Sequence, residues 1–220
     1  MQWKWKIQLV SQKDYIIAEN QQKHHTFIFD QQTKETDIIL RFEVEAYATL
    51  IVHILIMHVS MRVKIECILR GQGAHARIYG AYILSNEHNL VIETCQHHQV
   101  AHTNSTLIMK GALRDCAQAN YNGIIRIEKD ARESNASQDN KNILLSNGAR
   151  AVSVPNLEVL NNEVKCFHAS AVGKFDEDQL FYAAARGIDE KKAEQLLLEA
   201  YFADVVGEGM NHQLQKEFLL

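Results

Sequence analysis

Hydrophobic and polar residues alternate in short segments along most of the chain. Alternation with a period of two places successive side chains on opposite faces, which predicts half-buried β-strands. The predicted strands cover residues 46–55, 59–69, 74–84, 90–96, 105–109, 123–127, 142–145, 149–153, 157–159 and 164–167. Residues 1–45 are irregular but β-leaning, with alternation at Trp3, Trp5 and Ile7. Polar links, such as residues 120–122 and 139–142, separate the strands.

So many short strands in series, without intervening helices, indicate a sandwich, a barrel or a β-solenoid. Two-residue Asn-Gly hairpin signals occur only at Asn122-Gly123 and Asn147-Gly148. The polar ladder Gln138, Asn140 and Asn142 suits stacked coils with inward-facing amides. No strict repeat period is visible, but together these features favour the solenoid.

After Gly173 the pattern becomes helical. Asp176 and Glu177 are acidic residues suited to a helix N-terminus, Gly187 predicts a stop, and Asp189 is a candidate N-cap. The second helix is expected to carry one apolar stripe, formed by Ala193, Leu196, Leu197, Ala200 and Tyr201. We therefore expect a β body over residues 1–173 and a helical segment over residues 174–220, with a short amphipathic tail after residue 209.

Composition and charge argue against nucleic-acid and membrane partners. The 220 residues are 46% hydrophobic with a net charge of −4, and no Lys/Arg block stands out, so nucleic acid is a poor candidate partner. The most apolar run, residues 46–59, contains His53 and His58 and is too short to span a membrane. The N-terminus does not resemble a signal peptide, so we expect a cytoplasmic protein without a membrane partner.

Catalytic signatures are missing from the sequence. It contains no P-loop, no GxGxxG fingerprint and no Ser-His-Asp order, so we do not expect an enzyme. The four cysteines form no CxxC motif, and Cys67, Cys95 and Cys116 are expected to be core thiols. His24 and His25 are expected at the surface.

Two pairs of candidate ligands stand out. Cys166 and His168 lie two residues apart on a predicted strand, where both side chains point to one face and could bind a soft metal or an iron–sulfur species. A packed thiol beside a hydrogen-bonded imidazole would explain the same pair. His98 and His102 have the i,i+4 spacing of zinc ligands, but that spacing aligns ligands only on a helix. A turn with hydrogen-bonded imidazoles is therefore favoured for them.

An ordered string of motifs resembles the SufB/SufD family, the scaffold subunits of the SUF iron–sulfur cluster assembly machinery. The likeness runs from about residue 71 to 206, and the Cys-x-His followed by Val-Gly is more similar to SufD. It is carried by residues 96–98, 103–105, 110–111, 121–124, 136–146, 155–159, 164–168, 178–182 and 186–188.

The resemblance implies a right-handed parallel β-helix that pairs with a SufB-like subunit or with itself, as a dimer. It implies that His168, together with Cys166, is a candidate ligand of a transient iron–sulfur cluster at the subunit interface, and that a flavin acts through the complex. It also implies docking of a SufC-like ABC ATPase on the C-terminal helices. The candidate docking residues are Gln179, Leu180, Phe181, Tyr182, Arg186, Leu197 and Tyr201.

The sequence also departs from the family pattern. Only some seventy residues precede the matching part, where family members carry a helical domain, and Ala169-Ser170-Ala171 replaces the usual Gly-Ala-Thr. Two alternatives to a cluster scaffold therefore stay open. One is a pectate-lyase-like β-helix enzyme acting on polysaccharide, and the other is a structural homodimeric relative without cluster chemistry.

Overall fold

The computed structural model describes residues 10–207, in which a run of strands is followed by two helices. The predicted strand at Trp3–Ile7 and the predicted tail after residue 209 lie outside these residues. The strands are β1 (Ser11–Ile17), β2 (Gln22–Phe29), β3 (Asp37–Val44), β4 (Thr49–Met57), β5 (Met61–Leu69), β6 (His75–Leu84), β7 (Asn89–His98), β8 (Asn104–Leu113), β9 (Gln118–Ile127), β10 (Asn135–Leu144), β11 (Arg150–Val159) and β12 (Lys165–Gly173). The helices are α1 (Glu177–Ala185) and α2 (Glu190–Phe202).

Consecutive strands alternate between two six-stranded sheets. Sheet A has the order β1-β3-β5-β7-β9-β11, and sheet B has the order β12-β10-β8-β6-β4-β2. Each strand pairs in parallel with the strand two positions later in the chain, for example β6 with β8 and β8 with β10. The chain therefore winds through six two-stranded coils. The predicted β-solenoid is confirmed.

The coils differ in length. Ile38 pairs with Val63, 25 residues later, whereas Gln118 pairs with Arg150, 32 residues later. Most of the extra residues lie in the turns between the strands, and the others lengthen the strands themselves, so the sequence spacing changes while the strands stay paired in parallel. This variation explains why no strict period is visible in the sequence.

The solenoid interior changes character along its axis. The first coils bury apolar side chains such as Leu40, Phe42 and Ile54. The later coils bury amides, and Asn142 Nδ2 donates to Asn140 Oδ1 at 3.0 Å. The amide ladder predicted at Gln138, Asn140 and Asn142 does face inward.

Several predicted boundaries are wrong in the later coils. Residues 120–122 and 139–142, predicted as links, lie inside β9 and β10. In β10 the inward-facing Asn140 and Asn142 are polar, which removes the apolar alternation on which the prediction relied. In β9 the outward-facing Asn120 and Asn122 have the composition of a turn, but they flank the buried Tyr121. Residues 149–153 and 157–159 form the single strand β11. Pro155 is tolerated there because β11 is an edge strand with one neighbour.

Both predicted helices are present. Asp176 caps α1 by accepting a hydrogen bond from the Asp178 amide, and Asp189 caps α2 by accepting one from the Lys192 amide. Gly187 has a φ of 78°, the left-handed conformation of a helix stop. No helix within residues 10–207 is long and apolar enough to cross a membrane.

Helix α2 packs on the outer face of sheet B. Leu198 and Phe202 are buried against Leu55, Ala81 and Ala112. The predicted stripe is therefore only partly correct: it includes the buried Ala193, but Leu196 and Ala200 are exposed. The sequence has apolar residues at 196–198 and 200–202, so two neighbouring faces of the helix are both apolar, and local pattern cannot select between them.

Charged groups also hold α2 on the solenoid. Lys110 Nζ on β8 donates to Asp204 Oδ1 at 2.6 Å and to the Tyr201 carbonyl oxygen at 2.7 Å. The same ammonium lies 4.9 Å from the centre of the Tyr201 ring. Arg114, at the end of β8, forms an ion pair with Glu194. The helix is thus attached to the β body through both apolar and ionic contacts.

Candidate functional site

The last coil of the solenoid, formed by β11 and β12, has an uncovered interior face. Within residues 10–207, no further strand pairs with the outer edge of either strand. Leu157 is in register with the buried Ile125, yet it is 44% exposed because no coil stacks on it. Val172, in register with Asn142, is 43% exposed for the same reason. The β body therefore ends in an open, partly apolar mouth.

Cys166 and His168 lie on β12 at this mouth. Cys166 is in register with Ala136 and His168 with Gln138, so both follow the inward-facing positions of the preceding coil. The shared face predicted from their spacing is therefore present. Cys166 is half-buried against Ile125, and burial raises the pKa of its thiol. His168 is exposed.

This pair is chemically incomplete as a metal site. No group of three His, Cys, Asp or Glu side chains in the described part of the chain is placed to hold a metal ion. An iron–sulfur cluster generally needs about four protein ligands. Cys166 would bind a metal as the thiolate, and its raised pKa makes that deprotonation less favourable. Cys166 and His168 can therefore supply at most part of a ligand set.

The amide of Gln138 lies next to this pair. Gln138 is buried on β10, and its Oε1 has no hydrogen-bond partner within the described residues. Its amide occupies the space above Gly123, where a Cβ would clash with Gln138 Nε2 and lie 2.6 Å from Tyr121 Oη. The amide ladder was visible in the sequence, but its proximity to His168 follows from the strand register alone.

The helical segment carries a second candidate surface, an apolar groove between α1 and α2. Four of the seven predicted docking residues line it: Gln179, Tyr182, Arg186 and Leu197. The groove is completed by Asp178, Ala183, Ile188, Ala193 and Leu196. Ile188 also lines the groove. The sequence pattern did not predict this, because Ile188 lies between the two helices and outside the predicted apolar stripe.

The other predicted docking residues lie outside the groove. Phe181 is 75% exposed on α1, and Leu180 is half-buried. Tyr201 packs against the solenoid beneath Lys110. Tyr182 is 60% exposed, and the Arg186 guanidinium lies 4.9 Å from the centre of its ring. The structure thus gathers four of the seven residues at the groove, whereas Tyr201 contacts the solenoid near the C-terminal end of α2.

His98 and His102 do not form a joint metal site. His98 ends β7 and is buried, with Nδ1 2.7 Å from Thr103 Oγ1 and Nε2 2.7 Å from Ser105 Oγ. His102 lies in the following turn with a φ of 60°, and its Nδ1 is 3.3 Å from Glu133 Oε2. The interpretation is confirmed in part: the His98 imidazole is hydrogen-bonded but ends a strand, and His102 lies in the turn beside Glu133.

The remaining cysteines differ in their surroundings. Cys67 is a core thiol as predicted, and burial raises its pKa to about 12. Cys95 is half-buried beside Glu66 on sheet A, and Cys116 is exposed in the turn after β8. The prediction of a core thiol is therefore wrong for Cys116, which falls in a turn that the strand pattern did not delimit. It is also wrong for Cys95, which faces the outer side of sheet A between the buried Thr94 and Gln96.

Comparison with known proteins places most of the chain in one family. A family model described as the SufBD core domain of SUF-system FeS cluster assembly matches residues 14–201. An iron–sulfur cluster assembly SufBD family protein of Mycobacterium leprae is 34% identical over 154 residues, which cover 66% of this chain and 39% of that protein.

Two proteins named SufD are also similar. The iron–sulfur cluster assembly protein SufD of Escherichia coli is 28% identical over 150 residues, covering 66% of this chain and 36% of that protein. SufD of Bacillus subtilis is 36% identical over 102 residues, covering 46% of this chain and 23% of that protein. The chain thus spans less than two fifths of the length of these curated relatives.

Proposed function

The chain belongs to the SufBD core family of the SUF iron–sulfur cluster assembly system, and we propose that it acts there as a scaffold rather than as an enzyme. The observation that carries the proposal is the family match over residues 14–201, which includes both Cys166 and His168. The nascent iron–sulfur cluster would be the cargo of this scaffold. We expect the protein itself to be located in the cytoplasm.

Cys166 and His168 would hold one side of that cluster. A thiolate and an imidazole are both suitable ligands for iron–sulfur species, and a second subunit would contribute the missing ligands. The exposure of His168 at the mouth of the last coil supports this role, because a ligand shared between subunits must reach beyond its own chain.

The edges of β11 and β12 support pairing with another β-helix. Unpaired strand edges offer backbone hydrogen-bonding groups to a further strand, and exposed Leu157, Val159 and Val172 would be buried by it. The proposed partner is a SufB-like subunit or a second copy of this chain. A flavin would act through the assembled complex.

The groove between α1 and α2 is the proposed docking site for a SufC-like ABC ATPase. Its apolar lining suits insertion of side chains from a partner. Movement of the ATPase would reach the β body through α2, which is fixed to sheet B by the ion pairs of Lys110 and Arg114.

The carboxylates on sheet A argue against the pectate-lyase-like alternative. Such enzymes need clustered acidic groups on an exposed face. Glu43 is ion-paired with Arg70, and Glu93 with Arg62 at 2.7 Å. These carboxylates are therefore spaced and neutralised along the sheet.

The cluster role is tested with His168→Ala, using Ser170→Ala on the same strand as the matched control. After anaerobic reconstitution of the complex with its partner subunit and ATPase, we expect His168→Ala to retain less than about half of the iron and sulfide held by the control, because one ligand of roughly four is lost. Equal iron and sulfide retention would refute the ligand role and support the structural relative without cluster chemistry.

The docking role is tested with two neighbouring alanines of α1. Ala183 lines the groove, whereas Ala184 is exposed outside it. We expect Ala183→Glu to weaken ATPase binding by at least about tenfold, because a charge would be buried in an apolar contact, and Ala184→Glu to bind nearly as the unmodified chain does. Surface plasmon resonance with the purified ATPase measures both. Similar affinities for the two variants would place the docking site elsewhere.

A further inference from the structure

Two histidines meet on the outer face of sheet B, at the edge far from Cys166 and His168. His24 on β2 and His53 on β4 belong to adjacent parallel strands. His24 Nε2 lies 2.7 Å from His53 Nδ1, and the two rings are inclined by 55°. The two imidazoles are therefore joined by a hydrogen bond at the surface, with one nitrogen of each ring facing the other.

The ring of His53 is held in place from more than one side. It stacks on Tyr79 of β6 with ring centres 5.2 Å apart. The backbone of Gly207 closes another side, since a Cβ there would lie 2.9 Å from the ring. His24 is exposed and can adjust its position. The pair thus combines one fixed ligand with one adaptable ligand.

We propose that His24 and His53 form a binding site for a divalent transition-metal ion, with Cu²⁺ as the best geometric match. Two metal–nitrogen bonds of about 2.0 Å at a right angle place their nitrogens about 2.8 Å apart, as in a tetragonal Cu²⁺ site. The present separation of 2.7 Å already matches this spacing. Binding would replace the hydrogen bond between the rings: the ring that donates it would carry its proton on its other nitrogen, and both rings would rotate to turn their lone pairs toward the ion. Water would complete the coordination.

This site is separate from the proposed cluster site. Cys166 and His168 lie on β12, and the histidine pair lies on β2 and β4 at the other edge of sheet B. Four intervening strand spacings of about 4.8 Å place the two sites roughly 20 Å apart. The inference therefore does not depend on the proposed function.

The test is a Cu²⁺ titration of the full chain, followed by calorimetry and electron paramagnetic resonance. Cys116→Ser and Cys166→Ser are introduced throughout so that these two thiols do not bind or reduce the ion. His24→Ala and His53→Ala remove one ligand each. His25→Ala is the matched control, because His25 is the neighbour of His24 but packs against Tyr15 inside the first coil. His168→Ala serves as a second control, because it removes the candidate ligand at the other edge of the sheet.

We expect one Cu²⁺ per chain with the spectral signature of two imidazole nitrogens. Its affinity should fall by at least about tenfold in His24→Ala and in His53→Ala, and stay unchanged in His25→Ala and His168→Ala. Circular dichroism confirms that each variant is folded. Unchanged binding in either ligand variant, or an equal loss in His25→Ala, would overturn the proposal.

Discussion

At the scale of single residues, the buried polar groups around His98 form a connected hydrogen-bond network. Gln96 Nε2 donates to the Ser137 carbonyl oxygen at 3.1 Å and to Ser105 Oγ at 2.7 Å. Ser105 can then give its own proton to His98 Nε2, which leaves the Nδ1–H of His98 to donate to Thr103 Oγ1. This network satisfies a neutral imidazole and has no place for a second imidazole proton.

The first prediction concerns the pH dependence that His98 brings. Burial, followed by the nearby His97, lowers the pKa of His98 to about 4. In the unfolded chain His98 takes up a proton below its ordinary pKa of about 6.5, whereas the folded chain does not until about pH 4. Between about pH 6.5 and about pH 4, the free energy of unfolding therefore falls by about 1.4 kcal/mol for each unit that the pH falls.

The measurement compares the native chain with His98→Gln, in which an amide replaces the titrating ring. Between about pH 7.5 and about pH 5, urea denaturation should show the native chain losing about 2 kcal/mol more of its free energy of unfolding than the variant loses. Parallel pH profiles for the two proteins would show that His98 does not carry this dependence.

At the scale of elements, α2 is an attachment to the solenoid rather than part of its core. Leu198, Phe202 and Val205 fill an apolar patch on sheet B, while Lys110 and Arg114 hold the helix at its polar margin. The strands beneath it are already paired on both sides in sheet B. Release of α2 would therefore leave the backbone hydrogen bonds of the solenoid intact.

The second prediction follows from this arrangement. Phe202→Ala removes a side chain that is 1% exposed, and such truncations cost about 3–5 kcal/mol. We expect α2 to detach while the β-sheet circular dichroism is retained. Limited proteolysis should cut residues 190–202 faster in this variant than in Leu196→Ala, whose side chain is exposed. Loss of the β-sheet signal together with α2 would show that the two units unfold cooperatively.

At the scale of the whole molecule, the fold is a stack in which each coil is supported only by its neighbours. Central coils have a neighbour above and below, whereas the coil of β11 and β12 has one within the described residues. Stability in such a stack is the sum of coil and interface contributions, so it falls toward an open end.

The third prediction is a gradient of hydrogen exchange along the solenoid. Amides of β12 should exchange at least about tenfold faster than those of β8, which lies between two strands of the same sheet. Mass spectrometry of peptides from both strands measures the ratio. Addition of a pairing β-helix subunit should slow exchange in β12 and leave β8 unchanged. If the amides of β12 and β8 exchange equally slowly before the subunit is added, the last coil is not less stable than the central coils and the prediction is wrong.

Several features of the fold and of the candidate site could be predicted because they are local. The alternation of apolar and polar residues identified most strands, and Asp176, Gly187 and Asp189 marked the helix boundaries through chemistry that acts within a few residues. The shared face of Cys166 and His168 followed from the two-residue period of a strand. The ladder of Gln138, Asn140 and Asn142 indicated stacked coils for the same reason.

The sequence by itself thus determined most of the elements, the solenoid class and the family. Only the tertiary structure decided which faces meet: the side of α2 that binds sheet B, the meeting of His24 with His53, and the position of Gln138 beside His168. These contacts join residues about 30 positions or more apart, through coils whose length varies from 25 to 32 residues. Local periodicity carries no information on such contacts, because the register between coils is set by packing and by the turns.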